Sequence, residues 1–270
     1  MNLCAAYKVF NGGLYLAYSM KSIYNYVDQI VIFVSTKPWN GPLVPLDDTV
    51  EIIRKFPDPM RKIRFVVQDF RYDEDAGSGH ANELREMNAL LNYVRKEFPS
   101  TTHYLYIDAD EVWQPDHMRK LRRLLSAPTV VGEVHVAWRC YWKSFKYWID
   151  PFEPSRPTIA FRVTPDTKFV TIRDTNMEPK HFVSPDNFFL HHFSYALTSD
   201  MVAKKIKAWS HCKEIASSWY EKVWLAWDAN RTMENLHPVN PPEYKRAAPA
   251  DESQLPEVMK GHPFFGKDIV

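Results

Sequence analysis

Residues 29–35 read QIVIFVS, a nearly unbroken run of β-branched and aromatic side chains. A strand with no polar alternation must be covered on both faces, as in a parallel sheet flanked by helices. The surrounding chain supplies such flanks. Asn2 to Val9 is a second apolar run, closed by the turn signal Asn11-Gly12-Gly13. Leu14 to Tyr26 has helical spacing through Leu14, Ala17, Tyr18, Ile23 and Tyr24. A loop marked by Pro38, Gly41, Pro42 and Pro45 precedes a predicted helix over Asp47 to Phe56 and a strand over Ile63 to Gln68. A polar loop over Asp69 to Gly79, containing Gly77, leads into a helix from His80 to Phe98 with Leu84, Met87, Leu91 and Val94 on one face. His103 to Ile107 is a fourth strand, and Pro115 opens a helix ending at Leu125. This βαβαβαβ order predicts an α/β fold with a doubly wound, mostly parallel sheet. Ligands of such sheets bind beyond the carboxyl ends of the strands.

After Pro128 the pattern changes. Strands are expected over Val130 to Cys140, Ile159 to Val163, Phe169 to Ile172 and Phe188 to Phe193, and helices over Ser199 to Ala216 and Ser217 to Ala229. From Arg231 onward Pro238, Pro241, Pro242, Pro249, Pro256 and Pro263 suggest an extended wrap. We therefore expect a sheet lobe over 1–125, a second lobe over 126–230 and a Pro-rich wrap over 231–270. The charge balance, 34 Lys and Arg against 33 Asp and Glu, argues against a general nucleic-acid binder. Eight glycines are few for a Gly-rich phosphate loop. Cys4, Cys140 and Cys212 form no CxxC pair, so neither a disulfide framework nor a Cys-based zinc site is expected. The first residues do not read as a signal peptide, and no apolar run reaches about 18 residues. A cytoplasmic protein is the expectation, with peripheral membrane contact left open.

The strongest chemical signal is YLYIDADE, residues 104–111, in which an apolar strand delivers Asp108, Asp110 and Glu111 into one turn. Such crowding is costly unless cations or donors neutralise it, so removing one carboxylate is expected to relieve repulsion. Alternate carboxylates at a strand end share a side, which suits a hard divalent cation, Mg²⁺ or Mn²⁺, with open positions for phosphate oxygens. The alternative is a turn that merely caps the helix at Pro115.

With these residues in place the chain resembles family 2-type glycosyltransferases of the GT-A fold. AAYKVFNGG followed by LYLAYSMKSI matches the family's first strand and helix, and VDQIVIFV its second strand. HANELREMNALL stands where the family carries an Arg- and Asn-bearing helix, with Arg85 and Asn88 as nearest matches. YIDADEVW matches the metal-binding DxD, and HHFSYALTSDMVAKKIKAWSH resembles a later His-aromatic-Ser-Tyr segment and its Lys-bearing helix. The resemblance implies a glycosyltransferase of hexosyltransferase type, moving a sugar from a nucleotide-sugar donor to a hydroxyl acceptor, a saccharide or glycan. It implies Asp110 as a metal ligand, Asp108 as a contact to ribose or metal, and His192 as a further ligand. Nucleotide contacts are expected from Asp69, Arg85, Asp108 and Asp110. The second strand ends Val34-Ser35-Thr36-Lys37, without the family's acidic residues, which is why Asp69 is considered.

Other roles stay open. An inverting enzyme needs a carboxylate base, and Asp150 and Glu153 in YWIDPFEP are the candidates. His181, His191, His192 and His211 cluster in sequence, but adjacent strand residues face opposite ways, so only one of His191 and His192 can face a cleft. His211 also suits a helix C-terminus. WRCYWKSFKYW, residues 138–148, offers Trp142 and Trp148 as an acceptor wall or as core. Lys204, Lys205 and Lys207 read as a phosphate path or a solvated face. Alternative functions are transfer to a hydroxylated nucleic-acid base, a sugar-phosphate nucleotidyltransferase, and a noncatalytic carbohydrate-binding protein.

Overall fold

The computed structural model describes residues 1–71, 79–128 and 131–269. Most of the loop expected over 69–79, including Gly77, and Val130 at the head of an expected strand lie outside these residues. β1 (Leu3–Val9), α1 (Gly13–Ile23), β2 (Gln29–Ser35), α2 (Thr49–Lys55), β3 (Ile63–Gln68), α3 (Gly79–Glu97) and β4 (His103–Tyr106) follow in the expected order. These four strands lie side by side as β3-β2-β1-β4, all parallel. The two-residue period of β1 divides the core. Leu3, Ala5, Tyr7 and Val9 face α1 and α2, whereas Cys4 and Ala6 face Met87, Leu90, Leu91 and Val94 of α3. Each of those α3 side chains is fully buried, which stabilises by on the order of 1.5–3 kcal/mol apiece.

β5 (Glu111–Val112) and α4 (Pro115–Leu125) follow, then β6 (Glu133–His135), β7 (Trp138–Trp142), β8 (Tyr147–Asp150), β9 (Thr158–Arg162), β10 (Phe169–Thr171), β11 (Asp174–Thr175), β12 (Lys180–Phe182), β13 (Leu190–Tyr195), α5 (Ser199–Ala208) and β14 (Arg246–Pro249). The first sheet continues past β4 through antiparallel β9 to β6 and β12. A second sheet has the order β14-β8-β7-β13-β5. The fold is thus α/β, with a mixed, mostly parallel sheet and a second sheet beside it.

Three sequence expectations change. The strand expected over 130–140 is two: β6 enters the first sheet and β7 the second, with the break at Val136 and Ala137. The helix expected over 199–216 stops at Ala208, where Trp209 turns to extended backbone (φ −71, ψ 151). The helix expected over 217–229 shrinks to one π-type turn, Tyr220–Leu225. The tail contributes β14 alongside β8 and then lays His262 on Tyr15 of α1, rings 4.6 Å apart. Among the described residues no helix is long and apolar enough to cross a membrane.

Candidate active site

In the first sheet the chain leaves β1 toward β2 on one side and β4 lies on the other, so the strand order reverses between β1 and β4. That reversal opens a crevice at the carboxyl ends of the strands. Lys8 near the end of β1 and Asp108 just past β4 meet across it, Nζ to Oδ1 3.7 Å. From Asp108 the chain turns through Ala109 and Asp110 and enters β5 of the second sheet, so the acidic turn joins the sheets. Gly12 seats this turn from below: a Cβ there would fall 2.7 Å from the Ala109 Cβ. Gly12→Ala is therefore expected to cost about 1–3 kcal/mol by overpacking, read as a lower Tm. An unchanged Tm would show that the turn yields freely.

The carboxylates do not face one another unrelieved, contrary to the repulsion expected from sequence. Arg173 Nη2 lies 2.6 Å from Asp108 Oδ2 and 2.5 Å from Glu111 Oε1. Fully buried Glu111 also accepts from the indole N–H of Trp138 (2.9 Å) and the backbone N–H of Asp108 (2.8 Å). Asp110 stands 3.5 Å from both Lys205 Nζ and His192 Nε2. Lys205 is held in place by the carbonyl and hydroxyl oxygens of Ser194, at 2.9 and 2.7 Å. Burial works to raise both aspartate pKa values, yet both are held below the usual range, Asp108 by Arg173 and Lys8 and Asp110 by Lys205 and His192. On the far side of Lys8, Glu83 of α3 pairs with it at 2.6 Å. Glu86, one turn on, accepts from the Trp39 indole, and burial pushes its pKa up to about 7.

β13 brings His192 opposite Glu111 in β5 and beside Cys140 in β7. Its Nδ1 lies 3.7 Å from Cys140 Sγ, and that thiol donates to Glu153 Oε2 at 3.2 Å. With the thiol proton directed to Glu153, the sulfur can accept from Nδ1–H while Nε2 faces Asp110; burial works to lower the imidazole pKa, but Asp110 holds it above the usual value. A histidine whose second nitrogen is anchored in this way is oriented as metal ligands are. His191 points to the opposite face, where its Nδ1 shares a hydrogen bond with the Tyr141 hydroxyl at 3.0 Å and burial drives its pKa well down.

The other sequence candidates divide. Glu153 lies on the His192 face of the second sheet and is nearly buried, with its pKa pushed by burial up to about 7. Asp150, by contrast, ends β8 and is paired with Arg246 of the edge strand β14 at 2.8 Å. Asp69 ends β3 at the crevice edge but is paired with Lys37 at 2.7 Å. Arg85 is on the exposed face of α3, not at the acidic turn. Asn88 pins β10, exchanging hydrogen bonds with the backbone of Phe169. Trp142 and Trp148 do not form one wall. Trp148 is opposite Tyr141 in register, so it shares the His191 face, whereas Trp142 is fully buried beside Cys140, Trp219 and Trp224. Trp148 is covered by the Arg139 guanidinium, 4.3 Å above its ring. The aromatic that does reach the site is Trp138. Together with Arg173, His135, Ile172, His80 and His211 it lines a cleft of about 670 Å³ beside the acidic turn.

Sequence reasoning missed Lys8, Glu83, Glu86, Trp138 and Arg173. Trp138 lay inside the flagged aromatic stretch, and strand alternation with Cys140 could have found it. Arg173 carried no local signal: it sits in the tight turn between β10 and β11 with φ 61.

No protein-family model matches the chain, and no curated protein matches it. Several solved structures match it at low identity. Residues 1–349 of TarS from S. aureus align with a TM-score of 0.39 and 12% identity over 72% of this chain and 61% of that one. A glycosyltransferase involved in glycosylation of the major capsid of PBCV-1 aligns with a TM-score of 0.29 and 14% identity over 62% and 61%. A 4-diphosphocytidyl-2C-methyl-D-erythritol synthase from Anaerococcus prevotii aligns at 0.30 and 13% over 86% and 78%. The chain thus spans less than two thirds of the length of the first two.

Proposed function

We propose that this chain is a metal-dependent glycosyltransferase that moves a hexosyl group from a nucleotide-sugar donor to a hydroxyl of a saccharide or glycan. The observation that carries the reading is the delivery of His192 Nε2 to Asp110 Oδ1, 3.5 Å apart, at the joint of the two sheets. Both belong to a donor set that suits Mn²⁺ or Mg²⁺, and Cys140 holds the imidazole in the ligating orientation. Asp108 fits a metal less well, because Arg173 and Lys8 already occupy it. Its Oδ1 is nevertheless buried with no hydrogen-bond partner among the described residues, which suits acceptance of a ribose hydroxyl.

Bound at Asp110 and His192, a divalent cation supplies charge neutralisation for the departing nucleoside diphosphate. Lys205 adds a second positive charge beside it. Arg173 borders the cleft, holds Asp108 in its ionised form and fixes both Asp108 and Glu111, although burial still pushes the Glu111 pKa up to about 7. Trp138 offers the cleft an aromatic surface on which a sugar ring can stack. Glu153, with a pKa near neutrality, is the residue assigned to deprotonate the acceptor hydroxyl.

His192→Ala should weaken Mn²⁺-dependent UDP binding by at least about tenfold, since even outer-shell changes cost that much at metal sites. His191→Ala should leave that affinity unchanged, because its ring belongs to the opposite face. Calorimetric titration of both variants decides: equal losses would remove His192 from the site. The function itself is tested by incubating the protein with a panel of nucleotide sugars, with Mn²⁺ and then with EDTA. Metal-dependent release of nucleoside diphosphate from one donor is expected. Turnover of none, across the panel, would refute the reading.

A further inference from the structure

At the head of α3, Gly79 packs so closely on the turn after α5 that a Cβ would fall 2.6 Å from the Ser210 carbonyl oxygen. This approach sets His80 beside His211 and Glu214, although His80 and Glu214 are 134 residues apart in the chain. His80 Nε2 lies 2.5 Å from Glu214 Oε1, and His211 Nδ1 lies 3.2 Å from Glu214 Oε2. The two imidazoles meet edge to face, centroids 4.1 Å apart. One ligand atom from each of the three residues lies within 4.8 Å of the others.

We propose that His80, His211 and Glu214 form a second metal site, for a zinc-type divalent ion, with an open coordination position toward the cleft. Two imidazoles and one carboxylate are the donors a borderline ion prefers, and three protein ligands leave a fourth tetrahedral position for a ligand. Bonds of about 2.0–2.1 Å in a tetrahedron put donor atoms roughly 3.3 Å apart. The His211–Glu214 pair already stands at that spacing, and the His80–Glu214 pair has to open slightly. Both histidines line the cleft that Arg173 and Trp138 also line. The open position therefore takes an anionic oxygen, phosphate or carboxylate, of whatever the cleft binds. The other His-carboxylate group, Glu133, His135 and Asp174, is a poorer host. Asp174 is paired with Lys180 at 2.6 Å, and Glu133 accepts from the hydroxyls of Thr158 and Thr175.

The test is calorimetric titration of Zn²⁺ into the wild type, His80→Ala, His211→Ala, Glu214→Gln and Asp110→Asn, with the metal-free Tm of each as the folding control. Co²⁺ titration, read by visible absorption, reports whether the bound ion is four-coordinate. The wild type should bind Zn²⁺ at this site, and each of the three site variants should lose at least about tenfold in affinity for that ion with its metal-free Tm retained. Asp110→Asn should keep both Zn²⁺ affinity and the Co²⁺ spectrum, which separates this site from the acidic turn. Wild-type protein that does not bind Zn²⁺, or His211→Ala and Glu214→Gln that bind it as the wild type does, would overturn the proposal. So would loss of Zn²⁺ binding in Asp110→Asn alone.

Discussion

Glu153→Gln is expected to lower kcat/KM for sugar transfer by about 10²- to 10⁴-fold, the usual contribution of a general base. Gln keeps the shape and an acceptor for the Cys140 thiol, so Tm should stay near the wild-type value. The pH profile carries the sharper signature. Burial pushes the Glu153 pKa up to about 7, and only the ionised form can take the acceptor's proton. The wild-type rate should therefore fall as pH drops below about 7 and level off above it, and Glu153→Gln should lack that limb. Asp150→Asn, at the exposed pair with Arg246, should leave rate and profile unchanged. An acid limb that survives in Glu153→Gln would place the base elsewhere.

The second large effect is on folding. Arg173 is the shared partner of Asp108 and Glu111, and its guanidinium lies over the Tyr106 ring, 4.2 Å from the centroid. Arg173→Met keeps most of the packing but leaves Glu111 buried beside Asp108 without its cation. Removing one partner of a buried pair costs about 3–5 kcal/mol, because the remaining charge stays desolvated. Denaturant unfolding should show that loss, and the double variant Arg173→Met/Glu111→Gln should recover part of it. A loss below about 1 kcal/mol would mean that water reaches the acidic turn and screens it.

The first half of the molecule was readable because its strands are apolar runs of ordinary length between clear turn signals. β2 and β3 lie where Gln29 to Ser35 and Ile63 to Gln68 predict them. The second half hid its breaks. The stretch from Glu133 to Trp142 carries no Gly or Pro, so nothing local announces that it leaves one sheet for another at Val136 and Ala137. The end of α5 at Ala208 is likewise set by tertiary contact, since Gly79 packs against Ser210 two residues later. At the site, strand alternation sufficed to separate His192 from His191. Lys8 and Arg173 could not be read, and Lys205 stood out only as one of three lysines, because the three come from distant segments and meet only through sheet topology. The expected repulsion among the acidic residues failed for that reason. The aromatic stretch failed for another: its composition was informative, but which face each ring took depended on a register that only the paired strands reveal.

The most direct test of the account is thermal stabilisation by UDP with and without Mn²⁺, in the wild type and Asp110→Asn. Ligand at about a hundred times its Kd should stabilise the folded wild type by about 2.7 kcal/mol, a rise of roughly 5 °C or more in Tm. Wild-type protein should show that rise only with Mn²⁺ and UDP together, and Asp110→Asn should show none. A wild-type Tm indifferent to the pair, or an equal rise in Asp110→Asn, would contradict a cation-assisted diphosphate site at the acidic turn.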